Sequence, residues 1–399
     1  MFKTTPFYER LAPLNETGLW SHWSGYLVPR KFQMNDKIEY FAVRNSAALF
    51  DTSPLYKYRI TGADAERFLA GVLARDIRQC HNGQAQYTCW CDDRGFVVED
   101  GVVFRTSADD YMLTSAEPNF AYFKALVGTL RVSIEDISAN LGALAVQGPR
   151  ARMLLASLAP EVADLKFFEH TQVKFGDVPA MVSRTGYTGD LGFEVWVAPH
   201  DGSALWDLIA GAGKDLGVLP AGQNVLVMTR IEAGLILIGA DFHSSRFALS
   251  DHDSSTPLEL GFGWMFNGLA NSDRRFIGRT AIEREIRDRT SRWKTVGLVV
   301  DWQDWNRVYQ TEGLIPPKDI TPVTSEIMLY DDDGVHVGYT TSMMYSPILQ
   351  RHIAIGRVRP HLSSVGSRVH LEATIHHRYR TVTTHVAKTA LFNPARKTS

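Results

Sequence analysis

The segment Arg184–Glu194, with the sequence RTGYTGDLGFE, combines backbone freedom with a carboxylate that needs a partner. Its three glycines permit positive φ angles and let a flat ligand approach the main chain closely. Glu194 begins a predicted apolar strand, where an unpaired carboxylate is costly. A flat heterocycle with two adjacent N–H donors satisfies both carboxylate oxygens at once. The segment therefore indicates a site for such a ring, against the alternative of a glycine-rich hairpin with Glu194 in solvent.

Further motifs follow one another in a fixed order through nearly the whole chain. They are Ala48–Ser53 (ALFDTS), Gly83–Tyr87 (GQAQY), Ala145–Pro149 (AVQGP), Arg230–Gly234 (RIEAG), Thr256–Glu259 (TPLE), Phe276–Arg279 (FIGR), Val337–Ser342 (VGYTTS) and Ile353–Gly356 (IAIG). Together with the glycine-rich segment, this series resembles the aminomethyltransferase family, the glycine-cleavage T-protein and its relatives. The resemblance implies an α+β fold, a three-domain cloverleaf of the T-protein type with a C-terminal antiparallel β-barrel or sandwich.

The resemblance also implies a cofactor, tetrahydrofolate, and residues that hold it. The last residue of the glycine-rich motif holds the pterin ring in that family, which places this role on Glu194. Six further cofactor-binding candidates fall on or beside the family's motifs: Tyr187, Tyr87, Gln84, Ser115, Arg230 and Trp264.

The chain departs from the family's pattern at its acidic motif. Where the T-protein has a catalytic Asp that assists a folate nitrogen, this sequence offers Glu99 and Asp100. Both are catalytic candidates, and the sequence leaves open which one takes the family's position. The change argues against aminomethyl chemistry.

A second departure is a longer loop, residues 239–253, which we expect to contact the substrate. Methyl transfer from an ether oxygen requires in-line alignment and stabilisation of the leaving oxygen. His243 is a candidate acid near neutral pH, and Arg246 is a candidate for binding a carboxylate through two donors. His252 and Trp90 are further substrate-binding candidates, although a surface histidine and a core tryptophan are the simpler readings.

We therefore expect a tetrahydrofolate-dependent O-demethylase of the type that acts on vanillate or dicamba. It would move a methyl group from a methoxylated, aromatic, carboxylate-bearing small molecule to N5, giving 5-methyltetrahydrofolate. The first alternative is a glycine-cleavage aminomethyltransferase that forms methylenetetrahydrofolate. Another N- or S-demethylase of the family is a further alternative. A non-enzymatic folate-binding protein is disfavoured, because such relatives carry a reactive Cys segment that this sequence lacks.

Composition excludes other classes of protein. The chain has 399 residues and a formal net charge of −2, which argues against a nucleic-acid binder. The spacing of its three cysteines, Cys80, Cys89 and Cys91, fits no common zinc site or disulfide framework, so we expect no metal. No signal peptide or membrane span is apparent. We expect a cytoplasmic enzyme that needs no membrane and no obligatory protein partner.

Hydrophobic patterning predicts a strand–helix–three-strand–helix module in residues 54–137. The resemblance implies that the chain has three domains and that this module is inserted into a folate-binding α+β domain of residues 1–53 and 138–285. In that domain, Thr229–Leu237 is predicted as a helix that Gly234 interrupts. Strand signals every eight to twelve residues predict the β-barrel or sandwich in residues 286–399.

Overall fold

The computed structural model describes residues 2–399. Its helices are α1 (Tyr8–Leu11), α2 (Asp36–Asn45), α3 (Ala65–Val72), α4 (Phe120–Leu126), α5 (Ala151–Leu158), α6 (Gly202–Gly213), α7 (Gln223–Ala233), α8 (Arg279–Asp288) and α9 (Trp302–Thr311). Side-chain capping fixes the start of α9, where the Asp301 carboxylate accepts hydrogen bonds from two backbone N–H groups. Gly234 adopts a left-handed φ of 68° and ends α7. The prediction for Thr229–Leu237 was therefore wrong about both ends of this helix.

Most of the longer strands alternate in burial or are buried on both faces, as packed sheets require. The strands are β1 (Lys3–Thr4), β2 (Trp20–Trp23), β3 (Tyr26–Pro29), β4 (Ala48–Asp51), β5 (Tyr56–Thr61), β6 (Gln84–Cys91), β7 (Val97–Arg105), β8 (Asp110–Ser115), β9 (Ser133–Asp136), β10 (Gly142–Gln147), β11 (His170–Phe175), β12 (Val178–Ser183), β13 (Gly192–Val197), β14 (Leu219–Pro220), β15 (Lys294–Val300), β16 (Ile327–Tyr330), β17 (His336–Ser346), β18 (Arg351–Val358), β19 (Arg368–Ile375) and β20 (Arg378–Ala387). The first three form a small sheet in the order β1-β3-β2.

A six-stranded sheet carries the glycine-rich segment. Its order is β11-β12-β13-β10-β4-β14, and the segment connects β12 to β13 at the centre of the sheet. Strand β10 is buried along its whole length, which fits its apolar sequence GALAVQ. Helices α5 and α6 contribute Leu154 and Leu205 to the core on one side of the sheet.

The inserted sheet has the order β6-β7-β8-β5-β9 and is antiparallel throughout. Helices α3 and α4 cover one of its faces, where Phe68, Phe123 and Trp90 pack together. Because side chains alternate along a strand, the next residues of β6 face the other way. Cys89 and Cys91 lie there, in a different core.

The remaining strands form a closed antiparallel barrel in the order β15-β18-β17-β16-β19-β20. Strand β15 pairs with both β18 and β20, which closes the sheet and decides between the barrel and the sandwich. The predicted α+β class with a C-terminal barrel is confirmed. Among residues 2–399, none of the helices has the length and apolar content needed to cross a membrane.

A shared core joins the six-stranded sheet, the inserted sheet and the barrel. It contains Phe50 from the six-stranded sheet, Cys89 from the inserted sheet, Met228 from α7 and Ile353 from the barrel. Burial at this junction holds the parts together through the hydrophobic effect. The domain limits given above, at residues 53/54, 137/138 and 285/286, remain our proposal.

Candidate active site

Tyr87 and Asp100 form the acidic centre of the site. They lie on the paired strands β6 and β7, and the Tyr87 hydroxyl donates a 2.6 Å hydrogen bond to Asp100 Oδ2. The Phe262 ring packs edge-on against Tyr87 at 5.5 Å. Burial raises the pKa of Asp100 to about 6, although the hydrogen bond from Tyr87 favours the ionised form. Asp100 can therefore take up and release a proton near neutral pH.

Glu99 faces the opposite side of β7 and is fully buried. Its carboxyl accepts hydrogen bonds from the Asn119 side chain and the Glu117 amide, both at 3.2 Å. Burial raises the pKa of Glu99 to about 9, and the charge of Asp100 adds to this rise. Of the two predicted acids, the structure places only Asp100 beside Tyr87, and Glu99 belongs to the interior of the inserted sheet.

Glu194 lies on β13 beside the glycine-rich turn. Its Oε2 accepts a hydrogen bond from Thr185, whose hydroxyl also lies 2.7 Å from that of Ser183. Burial raises the pKa of Glu194, against the opposing effect of the Thr185 hydrogen bond. Within residues 2–399, Glu194 Oε1 has no hydrogen-bond partner, so the carboxyl retains acceptor capacity for a ligand.

The glycines of the segment are required by close packing. A Cβ added at Gly186 or Gly192 would overlap the side-chain amide of Gln147. That amide is fully buried, donates to the carbonyl oxygens of Thr185 and Phe193, and accepts from Thr188. Gly186 itself is exposed, so a flat ring can approach its backbone.

Tyr187 connects this segment with the acidic centre. Its hydroxyl donates a 2.5 Å hydrogen bond to the carbonyl oxygen of Ile236. Burial raises its pKa well above the ordinary value, and the nearby Asp100 charge contributes to the rise. The structure therefore brings together Tyr187, Tyr87 and Asp100.

Arg230 is fully buried and makes interior contacts. Its guanidinium donates to Asp241 Oδ2 at 2.5 Å and to the Ser342 hydroxyl at 2.7 Å. The prediction of a cofactor contact is not supported by this position, because the charge of Arg230 is already neutralised by Asp241. Asp241 was missed by the sequence reasoning, although a carboxylate partner is the requirement that a buried arginine imposes.

Three other predicted residues point away from Asp100. Trp90 is fully buried in the core of the inserted sheet, and its indole N–H donates to Asn119. Ser115 is buried and donates to the Glu117 carbonyl oxygen. Gln84 holds a turn by accepting from the His81 amide. The predictions of substrate contact for Trp90 and of folate contact for Ser115 and Gln84 do not fit these positions, since strand alternation directs them to the other face.

Trp264 is the remaining cofactor candidate. It lies in the short 3-10 helix Gly263–Phe266 and is about half exposed, at 46%. The Arg75 guanidinium stacks at 5.0 Å from its ring centroid and also donates to the Tyr87 carbonyl oxygen. Arg75 therefore connects Trp264 to the main chain of Tyr87, which belongs to the acidic centre.

Loop 239–253 borders a cavity of about 350 Å³. The cavity is lined by Glu117, Ile238, Gly239, His243, Ser244, Phe247, Ala248, Leu249 and Asp253. The cavity is linked to the site along the chain, because Ile238 lies two residues after Ile236, whose carbonyl oxygen accepts from the Tyr187 hydroxyl. On its other side, Glu117 lines the cavity and its amide donates to Glu99 in the inserted sheet.

The three charged candidates of this loop differ in position. His243 is exposed and lines the cavity. Arg246 donates to the Pro118 carbonyl oxygen at 3.2 and 3.3 Å and stacks near Tyr122, which holds the loop against the inserted sheet. His252 is exposed in a turn and does not line the cavity, so its predicted substrate contact has no support here.

The site residues fit tetrahydrofolate. Glu194 offers a free acceptor oxygen, the backbone at Gly186 is open, and Tyr187 and Tyr87 supply aromatic walls. Asp100 supplies a carboxylate with a near-neutral pKa. Together these groups suit a flat ring that carries N–H donors and a nitrogen that exchanges a proton.

Comparison with protein families finds two matches that cover most of the chain. Residues 9–267 match the GCVT N-terminal domain, and residues 313–392 match the glycine cleavage T-protein C-terminal barrel domain. The structure resembles the glycine cleavage system aminomethyltransferase T of Bartonella henselae, with a TM-score of 0.81, 22% identity and coverage of 98% of this chain and 99% of the other. This likeness supports the predicted T-protein fold.

The relatives most similar in sequence include proteins with two different names. The aminomethyltransferase of Caldanaerobacter subterraneus subsp. tengcongensis is 30% identical over 373 residues, covering 92% of this chain and 91% of that protein. The aminomethyltransferase of Lysinibacillus sphaericus is 31% identical over 377 residues, covering 93% of each. The trimethylamine-oxide aldolase of Ruegeria pomeroyi is 31% identical over 398 residues, covering 95% of this chain but only 46% of the aldolase.

Proposed function

This chain belongs to the glycine cleavage T-protein family, which uses tetrahydrofolate as its one-carbon acceptor, and on that premise we propose that it is a tetrahydrofolate-dependent demethylase. It moves a methyl group from a small methylated donor to N5 of tetrahydrofolate. The observation that carries this proposal is the cavity bordered by loop 239–253, whose volume of about 350 Å³ suits a small molecule. The chain enters this loop just after Ile236, whose carbonyl oxygen accepts the hydrogen bond from Tyr187.

Asp100 is the base in the proposed reaction. Tetrahydrofolate, when bound, supplies N5 as the nucleophile for the methyl carbon. Asp100, ionised above pH of about 6, would accept the proton that leaves N5. With a methoxy donor this proton would pass to the leaving oxygen, and with an ammonium or sulfonium donor, which releases a neutral amine or sulfide, it would pass to solvent. Tyr87 holds Asp100 in place through its hydrogen bond, and Glu194 accepts N–H donors of the ring and so fixes its orientation.

A methoxylated aromatic acid is the first donor class that we propose. The exposed Phe247 ring provides an apolar wall for an aromatic donor. His243 donates a hydrogen bond to the leaving oxygen. Arg246 lies on the same loop but outside the cavity lining, and we assign its guanidinium N–H groups beyond the two that contact Pro118 to the donor carboxylate.

A methylated ammonium or sulfonium compound is the second donor class. Two carboxylates, Glu117 and Asp253, line the cavity and favour a cation there. The Phe247 ring adds a favourable face for the same cation. The name of the Ruegeria pomeroyi relative points to a methylated nitrogen compound as well.

Glycine-cleavage aminomethyl transfer is the competing function. Relatives named aminomethyltransferase match about nine-tenths of the chain at about 30% identity. Asp100 would then serve the family's acidic position. The reaction would consume an aminomethyl-lipoyl carrier protein and release ammonia and methylenetetrahydrofolate.

Product analysis distinguishes these functions. The protein is incubated anaerobically with tetrahydrofolate and, in separate reactions, with methoxybenzoates, methylated ammonium or sulfonium compounds, or the aminomethyl-lipoyl carrier protein. We expect 5-methyltetrahydrofolate from one of the first two groups. Methylenetetrahydrofolate and ammonia from the carrier protein alone would overturn the demethylase proposal.

Asp100→Asn is the companion test of the mechanism. We expect product formation to fall by about 10²–10⁴-fold, the usual contribution of a positioned base. Asp93→Asn is the matched control, because Asp93 is exposed in the nearby turn and should leave the rate unchanged. A normal rate in Asp100→Asn would remove Asp100 from the mechanism.

A further inference from the structure

Residues 388–399, which we name the arm, follow the last barrel strand and run back to the glycine-rich segment. The Phe392 amide donates a 2.7 Å hydrogen bond to the Glu232 carbonyl oxygen at the end of α7. Gly234 gives the arm room, because an added Cβ would overlap the backbone of Thr389. The arm is thereby fixed beside the six-stranded sheet.

One end of the glycine-rich segment is bound through Asp190. The Arg396 guanidinium donates to both carboxylate oxygens of Asp190, at 2.6 and 2.9 Å. The Asp190 side chain is fully buried, and its other charged contact, to Arg44, is 3.5 Å long and shared with Glu232. Arg396 is therefore the main neutralising charge for a buried carboxylate.

Phe392 reinforces this end. Its ring lies 4.1 Å below the Arg44 guanidinium, and its carbonyl oxygen faces Gly189. Gly189 has a φ of +72° and no space for a side chain, because an added Cβ would overlap Ala233. The arm and α7 thus enclose the turn on which Asp190 lies.

The other end of the segment is bound through Arg184. Its guanidinium donates to the carbonyl oxygens of Leu165 at 3.3 Å and Lys397 at 3.2 Å, and also to that of Ser399. Arg152 adds a 3.0 Å hydrogen bond to Ser399. The arm therefore contacts both sides of the turn that contains Tyr187.

We propose that Arg396 is a positioning residue for the cofactor site. By fixing Arg184 and Asp190 from one short stretch of chain, the arm holds the intervening turn in the conformation in which Tyr187 and Glu194 face the ligand. In this proposal Arg396 acts through Asp190, the residue that it contacts. The identity of the ligand as a folate rests on the proposed function above.

Arg396→Ala tests this role by two measurements on the whole protein. Tetrahydrofolate binding is measured anaerobically by calorimetry, and hydrogen exchange is measured for amides 185–193. We expect the Kd to rise about tenfold, equivalent to about 1.4 kcal/mol, and exchange in this segment to accelerate. Arg396→Lys should recover only part of the affinity, because an ammonium cannot replace the two-pronged contact.

Arg368→Ala is the matched control. It removes an exposed pair in which Arg368 donates to both oxygens of Asp332 on the barrel. It should change neither the Kd nor exchange in residues 185–193. Should Arg396→Ala fail to fold, Phe392→Leu weakens a second contact of the arm, the one between the Phe392 ring and the Arg44 guanidinium, while keeping the Arg396–Asp190 pair. Faster exchange in residues 185–193 of this variant is then expected if the arm orders the segment.

Two results would overturn the proposal. One is an Arg396→Ala protein that matches Arg368→Ala in both measurements. The other is exchange that accelerates equally in the barrel and in residues 185–193, which would indicate general destabilisation. Absence of tetrahydrofolate binding in the unmodified protein would instead refute the proposed function, while the exchange data would still decide whether the arm orders the segment.

Discussion

At the scale of single residues, two adjacent carboxyls serve different purposes. Asp100 is hydrogen-bonded to Tyr87 and has a pKa of about 6, whereas the Glu99 carboxyl has a pKa of about 9 and is protonated at neutral pH. The difference follows from strand alternation, which sends one toward the site and one into an apolar interior. A neutral carboxyl is the form that such an interior tolerates.

The Tyr87 hydroxyl should set the pH range of activity. It donates to the ionised form of Asp100 and lowers its pKa, against the effect of burial. Because Asp100 must be ionised to accept a proton, kcat/KM should rise with pH through about 6. In Tyr87→Phe the pKa should increase by about one unit, since a hydrogen bond to a charged group contributes about 1.5 kcal/mol or more.

A pH profile of kcat/KM for both proteins tests this shift. Tyr122→Phe is a suitable control, because its hydroxyl contacts the Cys91 carbonyl oxygen rather than Asp100. An acidic limb that stays in place after Tyr87→Phe would show that Asp100 is not the titrating group.

The candidate site could be predicted from the sequence where a motif fixes a side chain. The motifs led to Tyr87, Tyr187 and the pair Glu99 and Asp100, of which the structure brings Asp100 together with the two tyrosines. They did not reveal which face of a strand meets the site, and so Trp90 was assigned to the substrate although it packs in a core. Which face of a strand meets the site is decided by tertiary packing, and a single sequence does not show that packing.

At the scale of elements, the conformation of the glycine-rich segment depends on the side-chain amide of Gln147, which packs between two of its glycines. Gln147 lies between Gly186 and Gly192 and joins the two sides of the hairpin through its hydrogen bonds. In Gly192→Ala the new Cβ would overlap this amide, which is fully buried and cannot withdraw. We expect a loss of about 1–3 kcal/mol in the free energy of unfolding, as for other overpacked sites.

Urea denaturation measures this loss. Gly211→Ala is the control, because Gly211 lies in α6 with open space around its Cα and should gain up to about 1 kcal/mol from helix propensity. Equal stability of Gly192→Ala and the unmodified protein would show that the hairpin tolerates a side chain there.

Helices and strands were predicted more accurately where the hydrophobic pattern of their sequence is regular. The strand–helix–three-strand–helix pattern predicts β5, α3, β6, β7, β8 and α4 in the order observed, and the evenly spaced strand signals predict the barrel. Helix α7 was misjudged, because it begins at Gln223, in a stretch with little apolar periodicity. Its stability comes from contacts with α2 and the barrel strands, which are distant in sequence.

At the scale of the whole molecule, a buried ion pair links the parts around the site. Arg230 on α7 binds Asp241, and the Asp241 carboxylate also accepts from the Leu237 amide and from Thr341 and Ser342 on β17. One carboxylate therefore connects the α7 helix, the start of loop 239–253 and the barrel. The same stretch of chain presents the Ile236 carbonyl oxygen to the Tyr187 hydroxyl.

Asp241→Asn should therefore weaken both the fold and the site. It leaves Arg230 buried without a compensating charge, and loss of one partner of a buried pair typically costs about 3–5 kcal/mol. Urea denaturation should show this loss, whereas Asp332→Asn, which breaks the exposed pair with Arg368, should cost at most about 1 kcal/mol. Because Leu237 is released as well, hydrogen exchange should accelerate in residues 235–241 before the barrel opens. Equal stabilities of the two variants would mean that the three parts are joined by apolar packing alone, and that Arg230 is free to serve another role.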